Sequence, residues 1–172
     1  MKKSFIYVFY YLATVWVLFL LSFVLPLNQF GIIPRTATGL VGVIGAPFLH
    51  GSWGHLVSNT LALVTFVPIF IAVEGKGALE KISSLVVLTG FLTWALARPA
   101  NHIGASGVVF GLYGYLISLG FFKKKIIQVA LSVFLLSSYG YILFGIFPIQ
   151  PGISWESHFF GLASGIALAK YR

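Results

Sequence analysis

Six long apolar runs follow one another along the chain, separated by short polar or glycine- and proline-rich breaks. The runs are Phe5–Leu25, Leu56–Val73, Ile82–Ala97, Ala105–Phe122, Ile126–Ile146 and Trp155–Ala169. A bilayer core of roughly 30 Å takes about 20 apolar residues per helix, fewer where a helix is short or recessed. The pattern therefore predicts six membrane-spanning helices, with Pro68 inside the second as a kink point. The segment Asn28–Gly54 has a different texture. Gly31, Pro34, Arg35, Gly39, Gly42, Gly45, Pro47, Gly51 and Gly54 interrupt apolar residues throughout it, which argues against one helix. It is too apolar for a loop in water, and irregular backbone at membrane depth must be buried against protein. It is expected as a loop embedded in the membrane and folded onto the bundle.

Met1-Lys2-Lys3 before an apolar run also describes a secretion signal. The run is long for that, however, and Val24-Leu25-Pro26 is not a small-residue cleavage site, so an uncleaved first helix is expected. The chain of 172 residues is 59% hydrophobic and 8% charged. A soluble domain carries about 25% charged residues, so this chain cannot coat a water-facing surface. Its length suits six short spans in a single domain, residues 1–172, with no second soluble domain. The net charge of +8 is scattered over short loops, unlike the basic, aromatic-interleaved patch of a nucleic-acid binder. No cysteine is present, which excludes disulfides, thiolate metal sites and cysteine nucleophiles.

The charges also orient the chain. With the N-terminus in the cytoplasm, Lys2, Lys3, Lys76, Lys81, Lys123, Lys124, Lys125, Lys170 and Arg172 lie inside, and only Arg35 and Arg98 outside. That is a clear positive-inside distribution. A multi-pass protein of the cell membrane with both termini cytoplasmic is expected. Helices two, four and six then enter from the outer side. His55 and Asn59 open helix two, Ser106 opens helix four, and His158 lies near the start of helix six. Ser106 precedes Lys123 by seventeen residues and His158 precedes Lys170 by twelve, which places them roughly 25 and 18 Å above the inner anchors. Given fraying helix ends, the two can share a level below the outer surface.

Polar groups at such depth are costly and face a bundle interior or a water-filled cavity. They serve either as interhelical glue or as a chemical site, and the residue types suit both. Gly107, Gly111 and Gly114 form a stripe on helix four, and His158, Gly161 and Gly165 one on helix six. Small residues let helix backbones approach closely, so the two stripes can bring His158 against Ser106. Read as a site, Ser106 in Gly104-Ala105-Ser106-Gly107 is a nucleophile and His158 its base. Phe110, one turn below Ser106, can pack on the imidazole. His55 and Asn59 share a face. Together with the Ser106 N–H at a helix start they can stabilise an oxyanion. The only acids are Glu74, Glu80 and Glu156. The first two are cytoplasmic, and Glu156 points away from His158, so a Ser–His dyad without a carboxylate is expected. His50, His55 and His158 could be imagined around a metal, but no H-E-x-x-H string exists. No metal or other cofactor is expected, and His50 is read as a strut for the loop. Arg35 and Arg98 read as snorkelling to headgroups, and His102 as a loop residue without a role.

Taken together, these motifs resemble the rhomboid family of intramembrane serine proteases over nearly the whole chain. His50-x4-His55-x3-Asn59, Gly104-Ala105-Ser106-Gly107 and His158-x2-Gly161-x3-Gly165 are similar to its second-, fourth- and sixth-helix motifs. The resemblance implies an all-α membrane protein, a compact six-helix bundle with a membrane-embedded first loop. It implies cleavage of transmembrane substrates near their outer ends. Ser106 would be nucleophile, His158 base, His55 and Asn59 the oxyanion-hole side chains, and His50 a structural histidine. Two departures stand out: Pro34-Arg35 lies where the family often has Trp-Arg, and Phe110 where it often has Tyr. With no extra domain or seventh helix expected, the chain resembles the minimal bacterial-type form. The rival readings are a silent rhomboid-like protein that binds and escorts helices, and a small transporter. A transporter usually shows internal repeats and a midplane site, and neither is visible here.

Overall fold

A computed structural model describes residues 2–150 and 152–171. Met1, Pro151 and Arg172, the last counted above as an inner cation, lie outside the described residues, as do the side chains of residues 2–5, Lys2 and Lys3 among them. Six long helices cross the molecule: α1 (Lys2–Leu21), α2 (Trp53–Glu74), α3 (Ala78–Leu96), α4 (Ser106–Lys123), α5 (Ile126–Tyr139) and α6 (Trp155–Lys170). No β-strand occurs among the described residues. One isolated antiparallel bridge pairs Ile32 with His102. The protein is an all-α, multi-pass membrane protein. The stretches Trp53–Leu96, which holds both α2 and α3, Ser106–Lys123 and Ile126–Ile146 are long and apolar enough to cross a bilayer.

Local chemistry sets the helix ends. Ser52 caps α2, its side chain accepting from the backbone N–H of His55, which satisfies one donor of the first turn. α2 runs through Pro68 without a break and stops at Gly75, whose φ of +61° ends the helix. Lys124 takes the left-handed conformation and closes α4. α2 and α3 start earlier than their apolar runs, at Trp53 and Ala78, and two helices end short by four residues or more. α1 ends at Leu21, four residues early, where the Ser22 hydroxyl turns back onto the Phe19 carbonyl and Pro26 follows. α5 ends at Tyr139, and Gly140–Ile146 continues as a 3-10 helix. Hydropathy does not separate the two winds.

Residues between α1 and α2 form the expected irregular loop. Short helical turns at Leu27–Phe30, Thr38–Leu40, Gly42–Gly45 and Ala46–Phe48 are packed on the bundle, while Leu40, Val41 and Ile44 stay exposed on its apolar outer surface. Arg35 is not a snorkelling residue. Its guanidinium donates to the carbonyls of Ala95 and Ala97 at the end of α3, at 3.2 and 2.8 Å, and its backbone N–H to that of Trp94.

α4 is the axis of the bundle. Leu112, Tyr113, Tyr115, Leu116 and Leu119 are fully buried. The two phenols find acceptors, Tyr115 on Glu74 Oε1 at 2.6 Å and Tyr113 on the Leu135 carbonyl at 3.4 Å. α6 presses closest to it. A Cβ at Gly161 would stand 2.0 Å from the Gly107 carbonyl oxygen, and one at Gly165 2.0 Å from that of Gly111. Gly114 repeats the relation from the α4 side, against the Leu162 carbonyl at 2.6 Å. The small-residue stripes therefore meet backbone to backbone. The stretch Ile126–Ile146, α5 with the 3-10 segment after it, is the opposite case: 11% of that span is buried in protein, against 67% of α4.

Gly161→Ala or Gly165→Ala must force the helices apart, because the obstructing atoms are backbone. Each is expected to lower stability by about 1–3 kcal/mol, the usual cost of overpacking. Gly54→Ala, with nothing within 4 Å of the added carbon, should be neutral or stabilising. Thermal unfolding in detergent distinguishes the two classes.

Candidate active site

Ser106 is the first residue of α4 and stands at the end of a glycine-led turn. Gly104 has φ +110°, and its N–H donates to the Ala46 carbonyl at 2.8 Å. A Cβ there would fall 2.3 Å from His55 Nε2 and 3.3 Å from Asn59 Nδ2. Glycine is thus needed twice over, for the backbone angle and for the approach of the α2 side chains. The Gly107–Gly161 contact one residue beyond Ser106 sets the distance to α6. As a result Ser106 Oγ lies 2.7 Å from His158 Nε2.

The imidazole is held on two further sides. Its ring stacks on Phe110 at 4.2 Å between centroids and 7° between planes. Its Nδ1 lies 2.8 Å from the Gly145 carbonyl, in the 3-10 segment after α5. A carbonyl only accepts, so Nδ1 carries the proton and donates. Nε2 is then the unprotonated nitrogen and accepts from the Ser106 hydroxyl. Phe110 lacks a hydroxyl, yet the stack itself needs none.

The α2 residues stand across the same opening. Asn59 is buried and its Nδ2 donates to His50 Nε2 at 3.0 Å. His50 and His55 rings lie 4.9 Å apart. Burial, with the neighbouring His55 adding to it, lowers the His50 pKa to about 4. His50 is therefore neutral near pH 7, which leaves Nε2 free to accept from Asn59 and so fix that amide. Ser106, His158, His55 and Asn59 all line one cavity of about 870 Å³. It extends from them between Ala62, Thr65 and Phe66 of α2 and Tyr139 and Ile142 beside α5. Gly107, Gly161 and Gly165 stay out of the cavity and serve the helix contact. No group of three or more His, Asp or Glu side chains gathers around a common point among the described residues.

A second polar layer surrounds the mouth, and the sequence reading missed it. Arg98 does not snorkel. Its Nη1 donates to both oxygens of buried Glu156, at 3.0 and 2.9 Å, and its Nη2 to the Ile153 carbonyl at 2.8 Å. Glu156 sits in the first turn of α6, where a negative charge also complements the helix dipole. His102 is buried rather than loose: Nε2 donates to the Arg98 carbonyl at 3.1 Å, and Nδ1 pairs with the Ser154 hydroxyl. Burial holds its pKa below the ordinary value. Ser154 in turn reaches Ser157 at 2.8 Å, and Ser157 reaches Thr93 at 3.2 Å. A signal for this layer existed. An acid in an apolar run needs a partner, and Arg98 was one of two cations assigned to the same side.

The family model described as the Rhomboid domain matches residues 37–172. An uncharacterized protein of Mycobacterium tuberculosis is 34% identical over 149 residues, 81% of this chain and 62% of its own length. A candidate rhomboid protease of Bacillus subtilis, YdcA, is 27% identical over 123 residues, covering 70% of this chain and 61% of that protein. The chloroplastic Rhomboid-like protein 11 of Arabidopsis thaliana is 35% identical over 91 residues, 50% of this chain and 32% of that protein. The chain thus spans less than two thirds of the length of these curated relatives.

Two outcomes follow from this geometry. Arg98→Ala strands a buried carboxylate and should cost about 1–3 kcal/mol. Adding Glu156→Gln should recover part of that loss, so a double-mutant cycle of unfolding in detergent gives a coupling of the corresponding sign. The unfolded chain has histidines near pKa 6.5, while folded His50 titrates near 4 and His102 below its ordinary value. The unfolded state then binds more protons between those limits, so stability is full above about pH 6.5 and falls as pH drops toward 4. Unfolding midpoints across that window should decline, and the decline should lessen in His50→Gln.

Proposed function

The chain belongs to the rhomboid family, and from that premise we propose that it is an intramembrane serine endopeptidase. Ser106 is the nucleophile and His158 the general base. The observation that carries this reading is the 2.7 Å contact from Ser106 Oγ to His158 Nε2, with the imidazole tautomer set so that Nε2 is free to take the proton. A serine at neutral pH needs such a base.

In the proposed reaction a transmembrane substrate unwinds locally, since a hydrogen-bonded helix hides its carbonyls. The extended segment lies in the cavity between α2 and α5. As Ser106 Oγ bonds to the scissile carbon, its proton passes to His158 Nε2. The carbonyl oxygen becomes an oxyanion held by His55, Asn59 and the Ser106 N–H. Donors placed where charge develops are often the largest catalytic contribution. The intermediate collapses, the C–N bond breaks, and His158 returns the proton to the departing amine. Water then adds to the acyl-enzyme with His158 again as base, and releases the acid. The positive-inside distribution supports a reading with both termini in the cytoplasm and this cavity toward the outer face of the cell membrane. Phe110, Gly104 and Gly107 support the dyad, and His50 supports Asn59.

The test is labelling of the solubilised protein by a fluorophosphonate probe. Wild type should label, and Ser106→Ala and His158→Ala should not, with unfolding midpoints close to wild type. Asn59→Ala should slow labelling by about 10²–10³, the usual loss of one oxyanion donor. Labelling of Ser106→Ala at the wild-type rate would remove the assignment. A folded wild type that neither labels nor cleaves any transmembrane substrate would point to a helix-binding escort protein.

A further inference from the structure

We infer that the backbone carbonyl of Gly145 is the positioning group of His158, so that the base is set only while the outer end of α5 is seated against α4 and α6. This rests on the protease reading above and adds to it a group on a different helix.

No carboxylate holds His158. Glu156, the acid nearest in sequence, is engaged by Arg98. The Gly145 carbonyl stands in its place, 2.8 Å from Nδ1. It can only accept, so it selects the tautomer whose Nε2 lone pair faces Ser106. The opposite tautomer would point an N–H at the hydroxyl and supply no base. Glycine is required for this approach, since a Cβ at residue 145 would stand 2.7 Å from Phe110 Cζ and 3.1 Å from His158 Nδ1.

The carbonyl belongs to a segment, Gly140–Ile146, in which no residue is fully buried. The inner half of α5 is fastened to α4, where Ser132 Oγ accepts from the Gly120 N–H at 3.0 Å. The outer half offers Val133, Phe134, Tyr141 and Phe144 to the surroundings. Its inward contacts include the Tyr139–Phe66 ring pair, 5.3 Å between centroids, and Gly145 itself. The cavity runs between this half and α2. A displacement of the outer end about the Ser132 pivot widens the cavity and withdraws the Gly145 carbonyl in one motion. The base is then unset while the cavity is open and restored when α5 returns.

The experiment combines fluorophosphonate labelling rates with the nitrogen-15 spectrum of the histidines in the full chain in detergent, His158 being assigned by its loss in His158→Ala. Wild type should show His158 protonated at Nδ1. Gly145→Ala should slow labelling by about tenfold, the equivalent of one orienting hydrogen bond, and give a mixed tautomer at His158, with His50 and His102 signals in place. Because that variant carries a steric clash, an ester between residues 145 and 146 provides the second arm. It weakens the carbonyl as an acceptor without altering a side chain, and should slow labelling by about threefold. The same ester between residues 142 and 143 should leave the His158 signal unchanged. An ester at 145–146 that labels at the wild-type rate with His158 still protonated at Nδ1 would overturn the inference. If wild type does not label but the ester disturbs the His158 tautomer, the positioning contact stands and the protease reading falls.

Discussion

The approach of α6 to α4 governs the rest of this molecule. In a bilayer, lipid tails solvate apolar side chains as well as neighbouring helices do, so association depends on close packing and interhelical hydrogen bonds. Gly161 and Gly165 rest on the carbonyls of Gly107 and Gly111 with no room for one carbon. Such contact fixes rotation and height as well as distance. Ser106 precedes the first contact by one residue on α4, and His158 lies three residues before Gly161 on α6. The 2.7 Å between their reactive atoms is therefore a consequence of backbone packing, and the side chains have little slack to lose.

Around that seam several buried polar groups are paired, as burial favours. Asn59 is engaged by His50, Glu156 by Arg98, and His102 by Ser154 and the Arg98 carbonyl. Arg35 closes the exposed carbonyls at the end of α3. These links join the first loop, the α3–α4 connection and the start of α6. An arginine suits the place, because its planar guanidinium reaches both Glu156 oxygens through Nη1 and the Ile153 carbonyl through Nη2, supplying direction as well as charge. The ring of contacts holds the Ser106 turn and the start of α6 at one end, while the glycine seam holds them along their length.

Much of this was legible in the sequence because its causes are local or periodic. Apolar runs name the six helices, and residues spaced by three and four name the faces that meet. The glycine density of Asn28–Gly54 argues against one continuous helix before any fold is known. What stayed hidden depends on neighbours that share no period. The run Ile126–Ile146 looks uniform in hydropathy, yet its last seven residues wind as a 3-10 helix. That change is what brings the Gly145 carbonyl to His158. Arg98 and Glu156 lie 58 residues apart, and topology put both toward the outer side without showing that they touch. His102 looked idle because its partner Ser154 carries no motif. The juxtaposition of Ser106 with His158 was readable as a possibility, but the choice of tautomer was not, since it belongs to a backbone carbonyl on a third helix.

The uneven packing of α4 and α5 is a requirement of the proposed chemistry as much as a property of the sequence. A nucleophile and base must hold their separation through a catalytic cycle, because a displacement of about 1 Å is enough to cost much of the rate. That demand is met where backbones touch and cannot rearrange. A helical substrate, however, must reach the same atoms sideways through protein, and a bundle packed like the α4–α6 seam on all sides would admit nothing. α5 has no glycine stripe opposing α2, and rings such as Tyr139 and Phe66 meet there instead. Side chains can repack where backbones in contact cannot. Rigidity and access are thus divided between two faces of α4, and the hydrogen bond from His158 to the Gly145 carbonyl crosses from one to the other.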